Sequence, residues 1–228
     1  RGQETNQLEF FNQAVLQSRR YLATFPTDSS AALIHWNMAL TLDTKLKQTA
    51  QAFDEYIEIS NLYWESRYQR FAAANAVAMA RDAAVSAIAA AEQDARRSIS
   101  LADLQKETKN PQGVKFREKM KLEPNELTLE ETRLAQAYDN YIKLFPHDKE
   151  TPIFLANAGA LYYRRYQFKE ALRYFNTLLR HFPGSEEFAQ ARYAIMESYF
   201  GKADFRSSDI IARRIPTSDA PPQATTRA

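Results

Sequence analysis

The chain has 228 residues, of which 45% are hydrophobic and 25% are charged, enough apolar material for one large domain or an extended repeat array and too much for a disordered chain. Five glycines and nine prolines are few for this length, which favours long helices over a β-rich fold. The formal net charge of +2 provides no strong field for nucleic acid or an anionic membrane, and the absence of cysteine excludes disulfides and thiolate metal sites.

The first 26 residues contain a helix signature that returns later in the chain. It consists of an aromatic residue, an alanine three positions on, a pair of large apolar residues and a closing Phe-Pro, here Phe11, Ala14, Tyr21-Leu22 and Phe25-Pro26. This segment supplies only one helix of a helix pair. We therefore expect the array to begin in mid-repeat, as in a piece of a longer protein.

Further copies follow along the chain. The segments Ala50–Asn61 and Ala135–Pro146 are nearly the same sequence, and Ile34–Leu40 aligns with Phe154–Ala160 at the same distance after a Phe-Pro. The alanine-rich stretch Ala72–Ala95 is predicted to hold another helix pair. It is interrupted by Asn75, Arg81 and Asp82 and falls short of a membrane span, so no membrane insertion is expected. An insertion, partly loop, is predicted at about residues 106–128.

The clearest repeat is Thr151–Pro183. Its signature residues are Leu155, Ala158, Gly159, Tyr162, Ala171, Phe175 and Pro183. Small residues such as Gly159 and Ala171 are expected where two antiparallel helices cross, and Tyr162 and Phe175 are expected to fill the space beside that crossing. Pro183 is predicted to end the second helix, because proline cannot continue one.

A last, degenerate helix pair is predicted from Tyr193–Tyr199 and Phe205–Ile215. The repeat domain therefore covers residues 1–216, and residues 217–228, rich in Ser, Thr, Ala and Pro, are expected to be disordered.

The spacing of Gly159, Tyr162, Ala171, Phe175 and Pro183 resembles the tetratricopeptide repeat, with Leu155 in place of the usual Trp and Ala158 in place of the usual Leu. The resemblance implies an all-α fold, a right-handed superhelical solenoid of antiparallel helix pairs. The repeated Phe-Pro helix ends look most like bacterial cell-envelope members of the BamD and YbgF type. That likeness implies a periplasmic or cell-envelope adaptor in outer-membrane assembly, a cytoplasmic location being the alternative.

The sequence shows no catalytic constellation. The three histidines, His35, His147 and His181, have no metal-ligand spacing to one another, and each is expected to be structural or solvated. Glycine-rich phosphate loops and Gly-x-Ser-x-Gly elbows are absent. We therefore expect a protein that is not an enzyme, with no cofactor and no metal, and with another protein or a peptide as its partner rather than nucleic acid.

Asparagines are the sharpest candidates for peptide binding. In one subset of the resembling family, an Asn two residues before the small Gly or Ala position holds the backbone of an extended peptide on a concave face. Asn37, Asn157 and, in one register, Asn75 match that place, and a carboxamide can both donate to and accept from a peptide unit. The alternative is that Asn37 and Asn157 only bond within the protein.

Tyr163 and Arg164 follow the first helix of the clearest repeat and are predicted to face outward as binding residues, since Tyr and Arg are favoured at interfaces. A packed turn with solvated arginines is the other interpretation. The chain is thus predicted to be a protein-binding scaffold, and the alternative is a permanent structural subunit of a larger multiprotein machine.

Overall fold

The computed structural model describes residues 2–98, 123–201 and 207–208 of the chain. Their regular secondary structure is α-helical, which confirms the predicted all-α class. In chain order the helices are α1 (Gly2–Thr24), α2 (Ala31–Thr44), α3 (Thr49–Leu62), α4 (Arg67–Ser98), α5 (Leu129–Leu144), α6 (Thr151–Arg164), α7 (Phe168–His181) and α8 (Glu187–Gly201). Within the described residues, no helix combines the length and apolar character that a membrane crossing needs.

Each described helix packs against the next one described, from α1 on α2 to α7 on α8. Fewer contacts join helices two apart, such as α2 with α4 and α6 with α8. One apolar core runs through this packing, from Val15 on α1 to Ile195 on α8. Most of these helices are about four turns long, too short to be stable alone, so their stability comes from burying apolar faces against neighbours.

The same type of Phe-Pro turn joins α1 to α2, at Phe25-Pro26, and α5 to α6, at Phe145-Pro146. In both turns the Phe N–H donates to the carbonyl four residues earlier, and the N–H of the Asp three residues later donates to the Phe carbonyl. The distances are 2.8 and 3.2 Å in the first turn and 2.9 and 3.1 Å in the second. The turn from α7 to α8 has the same form, with Ser185 in place of the Asp, and Pro183 lies just beyond the end of α7 at His181. The repeated Phe-Pro pairs therefore mark a repeated turn.

The pair α6–α7 is held by close packing of a glycine against an aromatic ring. A Cβ atom added to Gly159 on α6 would lie 2.5 Å from Cε1 of Phe175 on α7. Ala171, one turn before Phe175, is fully buried, and Tyr162 stacks on Tyr174 with ring centroids 5.5 Å apart. The absence of a side chain at 159 is thus what lets the Phe175 ring occupy its place.

The pair α2–α3 repeats the pair α6–α7 position by position. Asn37 and Asn157 are each the seventh residue of their helix, and Ala39 and Gly159 are each the ninth. Tyr56 and Phe175 are each the eighth residue of α3 and α7. Ala39 and Tyr56 are fully buried, as expected for the equivalent crossing.

Between the two pairs, α4 is a single helix of 32 residues. The prediction of a helix pair within Ala72–Ala95 is therefore wrong. No glycine or proline interrupts α4, and alanine has the highest helix propensity, so nothing in this stretch ends the helix. Of the predicted insertion, residues 123–128 are irregular and lead to Thr128, the N-cap of α5. The rest of the insertion, most of the predicted final helix and the predicted tail lie outside the described residues.

Helix α4 packs against α5 as extensively as against α3, so the two halves of the chain meet along it. Arg70 on α4 donates two hydrogen bonds to the Asp148 carboxylate, at 2.8 and 3.1 Å, and this contact holds the pKa of Asp148 below its ordinary value. Asn140 on α5 donates to the Ser60 hydroxyl at 2.8 Å and accepts from the Asn61 amide at 3.0 Å. These polar contacts tie α5 to α3, and the turn that follows α5 to α4.

We predict that Gly159→Val lowers the free energy of unfolding by about 1–3 kcal/mol, because the added side chain must displace the buried Phe175 ring. Gly184→Val is the matched control, since a Cβ there meets no atom within 4 Å, and a change within about 0.5 kcal/mol is expected. Urea denaturation of the two variants measures both values. Equal losses at the two positions would contradict the described crossing.

Candidate peptide-binding groove

A cavity of about 320 Å³ lies between α4, α5 and α6, where the two halves of the chain meet. We call it the α4–α6 groove. Its wall residues are Arg81, Ala84, Val85 and Ile88 from α4, Glu131, Leu134 and Tyr138 from α5, and Asn157, Ala160, Leu161 and Arg164 from α6. Three helices therefore build one site, and α4 is separated in the sequence from the consecutive pair α5 and α6.

The floor of the groove is apolar. Leu134, Leu161 and Ala84 are buried beneath it, while Val85 and Ile88 on α4 remain 60% and 37% exposed. A bound partner could cover these exposed apolar side chains, and their removal from water would favour binding.

Two arginines lie at the rim. Arg164 forms no ion pair with any described residue, and the closest acid to Arg81 is its exposed neighbour Asp82, at 3.9 Å. Both guanidinium groups act on Tyr138: burial raises the pKa of its hydroxyl, and the positive charges of Arg81 and Arg164 partly offset that rise. The two guanidinium groups therefore both lie near Tyr138 in the groove.

The one carboxylate among the groove's described wall residues, Glu131, is already neutralised. It is 4% exposed and completes a capping box with Thr128, which begins α5. Arg165 donates to both of its oxygens, with the Nε atom 3.1 and 2.8 Å away. With Glu131 occupied by Arg165, the charges left for a ligand are the positive ones of Arg81 and Arg164.

Asn157 lines the same groove. Its side chain is exposed and its amide has no hydrogen-bond partner among the described residues, so the carboxamide is free to contact a ligand. The structure thus places two of the residues predicted from the sequence, Asn157 and Arg164, in one site.

The other predicted residues lie elsewhere. Asn37 is exposed on α2 and also unpartnered within the described part of the chain, but it lines none of the cavities described here. Asn75 lines a separate cavity of about 510 Å³ with Asp43, Thr49 and Met79. Tyr163 is half-buried and donates a hydrogen bond to Glu197 on α8 at 3.1 Å. Burial, together with the Glu197 charge, raises the pKa of Tyr163 to about 12, so this residue is part of the packing between α6 and α8.

Sequence reasoning missed Arg81, Tyr138 and the apolar pair Val85 and Ile88. The α4 residues lie in the stretch for which the sequence predicts a helix pair. That prediction gives no basis for assigning these residues to one face of a single helix. Tyr138 lies in a repeat helix that the sequence predicts, but its groove neighbours on α4 are fifty or more positions earlier in the sequence.

No family model matches the chain, and no curated protein matches it. Among solved structures, the crystal structure of BtubC (BKLC) from P. vanneervenii is similar over 99% of this chain and 96% of that chain, with 15% sequence identity and a TM-score of 0.36. A likeness at that level carries no inference about the fold or function of this protein.

We predict that Glu131→Ala lowers the free energy of unfolding by about 2–4 kcal/mol, because it removes the Glu131 half of the α5 capping box and leaves Arg165 without its partner. The side chain of Arg165 is 30% exposed, so water compensates for part of that loss. Glu130→Ala removes the same charge from the same helical turn without breaking any hydrogen bond of the described structure. Urea denaturation should show less than about 1 kcal/mol for this control; a similar loss in both variants would mean that Glu131 acts only as a surface charge.

Proposed function

We propose that this chain is a non-enzymatic protein-interaction scaffold that binds an extended, acidic peptide segment in the α4–α6 groove. The observation that carries the proposal is the combination in one groove of an apolar floor, an unpartnered carboxamide and two arginines that no buried acid neutralises. The architecture proposed with it is a tetratricopeptide-like, right-handed solenoid of antiparallel helix pairs.

Support for that architecture comes from repetition. The four helices of the pairs α2–α3 and α6–α7 are each 14 residues long. The Phe-Pro turns share one hydrogen-bond pattern, and each described helix packs on the next one described. In repeat proteins of this kind, helix pairs stack so that each contacts only its neighbours, and the stack leaves an extended surface for partners.

Each part of the groove suits a different part of a peptide. Arg81 and Arg164 can form charge-assisted hydrogen bonds with Asp or Glu side chains or with a terminal carboxylate. The Asn157 carboxamide can donate to and accept from one peptide unit whatever its side chain is. Val85 and Ile88 can cover an apolar side chain next to the acidic one. The expected ligand is therefore an extended segment in which an acidic residue lies close to an apolar one.

A second candidate function is that of a permanent subunit of a larger assembly. Large apolar residues on α1 favour it, because Leu8, Phe10 and Leu16 are 48%, 69% and 42% exposed. Where such side chains form a contiguous patch, that patch is typical of a surface that a partner protein covers. The proposed compartment, the bacterial cell envelope, rests only on the resemblance of the Phe-Pro repeats and stays a prediction.

The test of peptide binding is selection from a random peptide library displayed on phage, followed by affinity measurements with synthetic peptides by fluorescence polarisation. We expect the selected peptides to share an acidic residue. Arg81→Glu/Arg164→Glu should weaken their binding by about 30-fold or more, because it replaces attraction by repulsion. Asn157→Ala should weaken binding by up to about tenfold, the value of one or two hydrogen bonds.

Asn37→Ala is the matched control, because Asn37 occupies the equivalent position of its helix but lies outside the groove. Its affinity for the selected peptides should equal that of the unsubstituted protein. Selected peptides without acidic residues, or equal binding to the charge-reversed variant, would reject the groove as the site. If no peptide is selected and the isolated protein self-associates through α1, the subunit function is favoured instead.

A further inference from the structure

A third cavity, of about 930 Å³, lies near the N-terminal end of the described chain, between α1, α2, α3 and the turn that follows α3. Polar residues in its wall include Arg19, Asp28, His35, Glu55, Glu58 and Tyr63. The carboxylates of Asp28, Glu55 and Glu58 outnumber the single guanidinium of Arg19, so these four groups together have a net negative charge. This charge favours a cationic ligand.

His35 is the buried centre of this cavity wall. It is 3% exposed, and both ring nitrogens have partners. Its Nε2 atom lies 2.8 Å from Oε2 of Glu55, and its Nδ1 atom lies 3.2 Å from the Tyr63 hydroxyl oxygen. Arg19 contacts only the other oxygen of Glu55, Oε1, at 3.0 Å. Oε2 of Glu55, which faces the imidazole, has no contact with Arg19 and can therefore bind a further ligand.

The second helix pair shows that the fold does not require this polar cluster. Leu155, 2% exposed, is the fifth residue of α6, as His35 is of α2. Tyr174 is the seventh residue of α7, as Glu55 is of α3. Burying an imidazole and a carboxylate costs solvation free energy that a leucine avoids. The polar pair is thus an addition to the first helix pair that packing alone does not explain.

The geometry matches the ligand set of a divalent metal ion. One ligand atom each from His35, Glu55 and Glu58 lies within 4.8 Å of the other two. One imidazole nitrogen and two carboxylate oxygens suit Zn²⁺, with water from the open side of the cavity as a fourth ligand. The Tyr63 hydroxyl oxygen can accept the N–H of the second ring nitrogen, a role that a carboxylate, a backbone carbonyl or water has at most metal-bound histidines.

We propose that His35 Nε2, Glu55 Oε2 and a Glu58 carboxylate oxygen bind a divalent cation of the zinc type. The tautomer that binds the metal carries its proton on Nδ1, donates it to the Tyr63 hydroxyl oxygen and leaves the Nε2 lone pair for the ion. The ion would link α2 to α3 and stabilise the first helix pair, because it binds the folded state. The site does not depend on the α4–α6 groove.

Sequence reasoning missed this site because it searched for local ligand spacing. His35 and Glu55 lie on different helices, and only the packing of α2 on α3 brings them together. A comparison of the repeats could have indicated the site, because His35 occupies the position that corresponds to Leu155.

The test is calorimetric titration of the full chain, free of any affinity tag, with Zn²⁺ and separately with Mg²⁺. We expect one saturable Zn²⁺ site with a Kd of about 10 μM or tighter and binding of Mg²⁺ at least 100-fold weaker, because nitrogen ligands disfavour magnesium. Glu58→Gln changes an exposed residue and should leave the fold intact while weakening Zn²⁺ binding at least tenfold. His35→Leu should abolish binding and remove the rise in Tm that Zn²⁺ gives the unsubstituted protein.

His147→Gln/His181→Gln is the control, because it removes the two exposed histidines outside the cavity. It should retain the site with unchanged affinity. Absence of a saturable site in the unsubstituted protein would overturn the proposal. So would unchanged affinity in either Glu58→Gln or His35→Leu, or loss of binding in the control variant.

Discussion

The structure depends on close approach between the helices of each pair, and small residues permit that approach. At Gly159 the Phe175 ring occupies the space where a side chain would be, and Ala39 and Tyr56 occupy the equivalent positions of the first pair. A larger side chain at either small position would separate the helices and open voids in a core that is close-packed. Both sites described above sit beside these crossings: Asn157 and Arg164 are on the helix of Gly159, and His35 is one turn before Ala39.

The two pairs are alike in backbone and different in the groups that they expose. The first pair buries a histidine and half-buries a carboxylate where the second pair buries Leu155 and the ring of Tyr174. The second pair instead contributes Asn157 and Arg164 to a groove that α4 closes from the other side. A repeated scaffold can therefore hold two sites of different chemistry, because the packing positions constrain only part of each helix surface.

Features that depend on local chemistry could be predicted from the sequence. The Phe-Pro turns, the helix end before Pro183 and the small residue at 159 each follow from one residue type with a distinct conformational or steric property. The course of α4 could not be predicted, because alanine fits a buried or an exposed position equally well and leaves no periodic signal. Neither site could be predicted in full for a related reason. Each is built from residues on different helices, which only the packing of those helices brings together. In the groove, only Asn157 and Arg164, which lie on the clearest repeat, were recognised.

Helix α5 packs along α4, and its Asn140 reaches Asn61 on α3; this arrangement joins the two halves of the chain and creates the α4–α6 groove. Since the chain has no cysteine, Asn61→Cys/Asn140→Cys introduces a single pair of thiols at side chains that are 3.0 Å apart. Treatment with an oxidant or a short bismaleimide should give rapid, nearly complete intramolecular cross-linking in the native protein, measured by mass spectrometry of proteolytic fragments. Cross-linking no faster than in urea-unfolded protein would contradict the account.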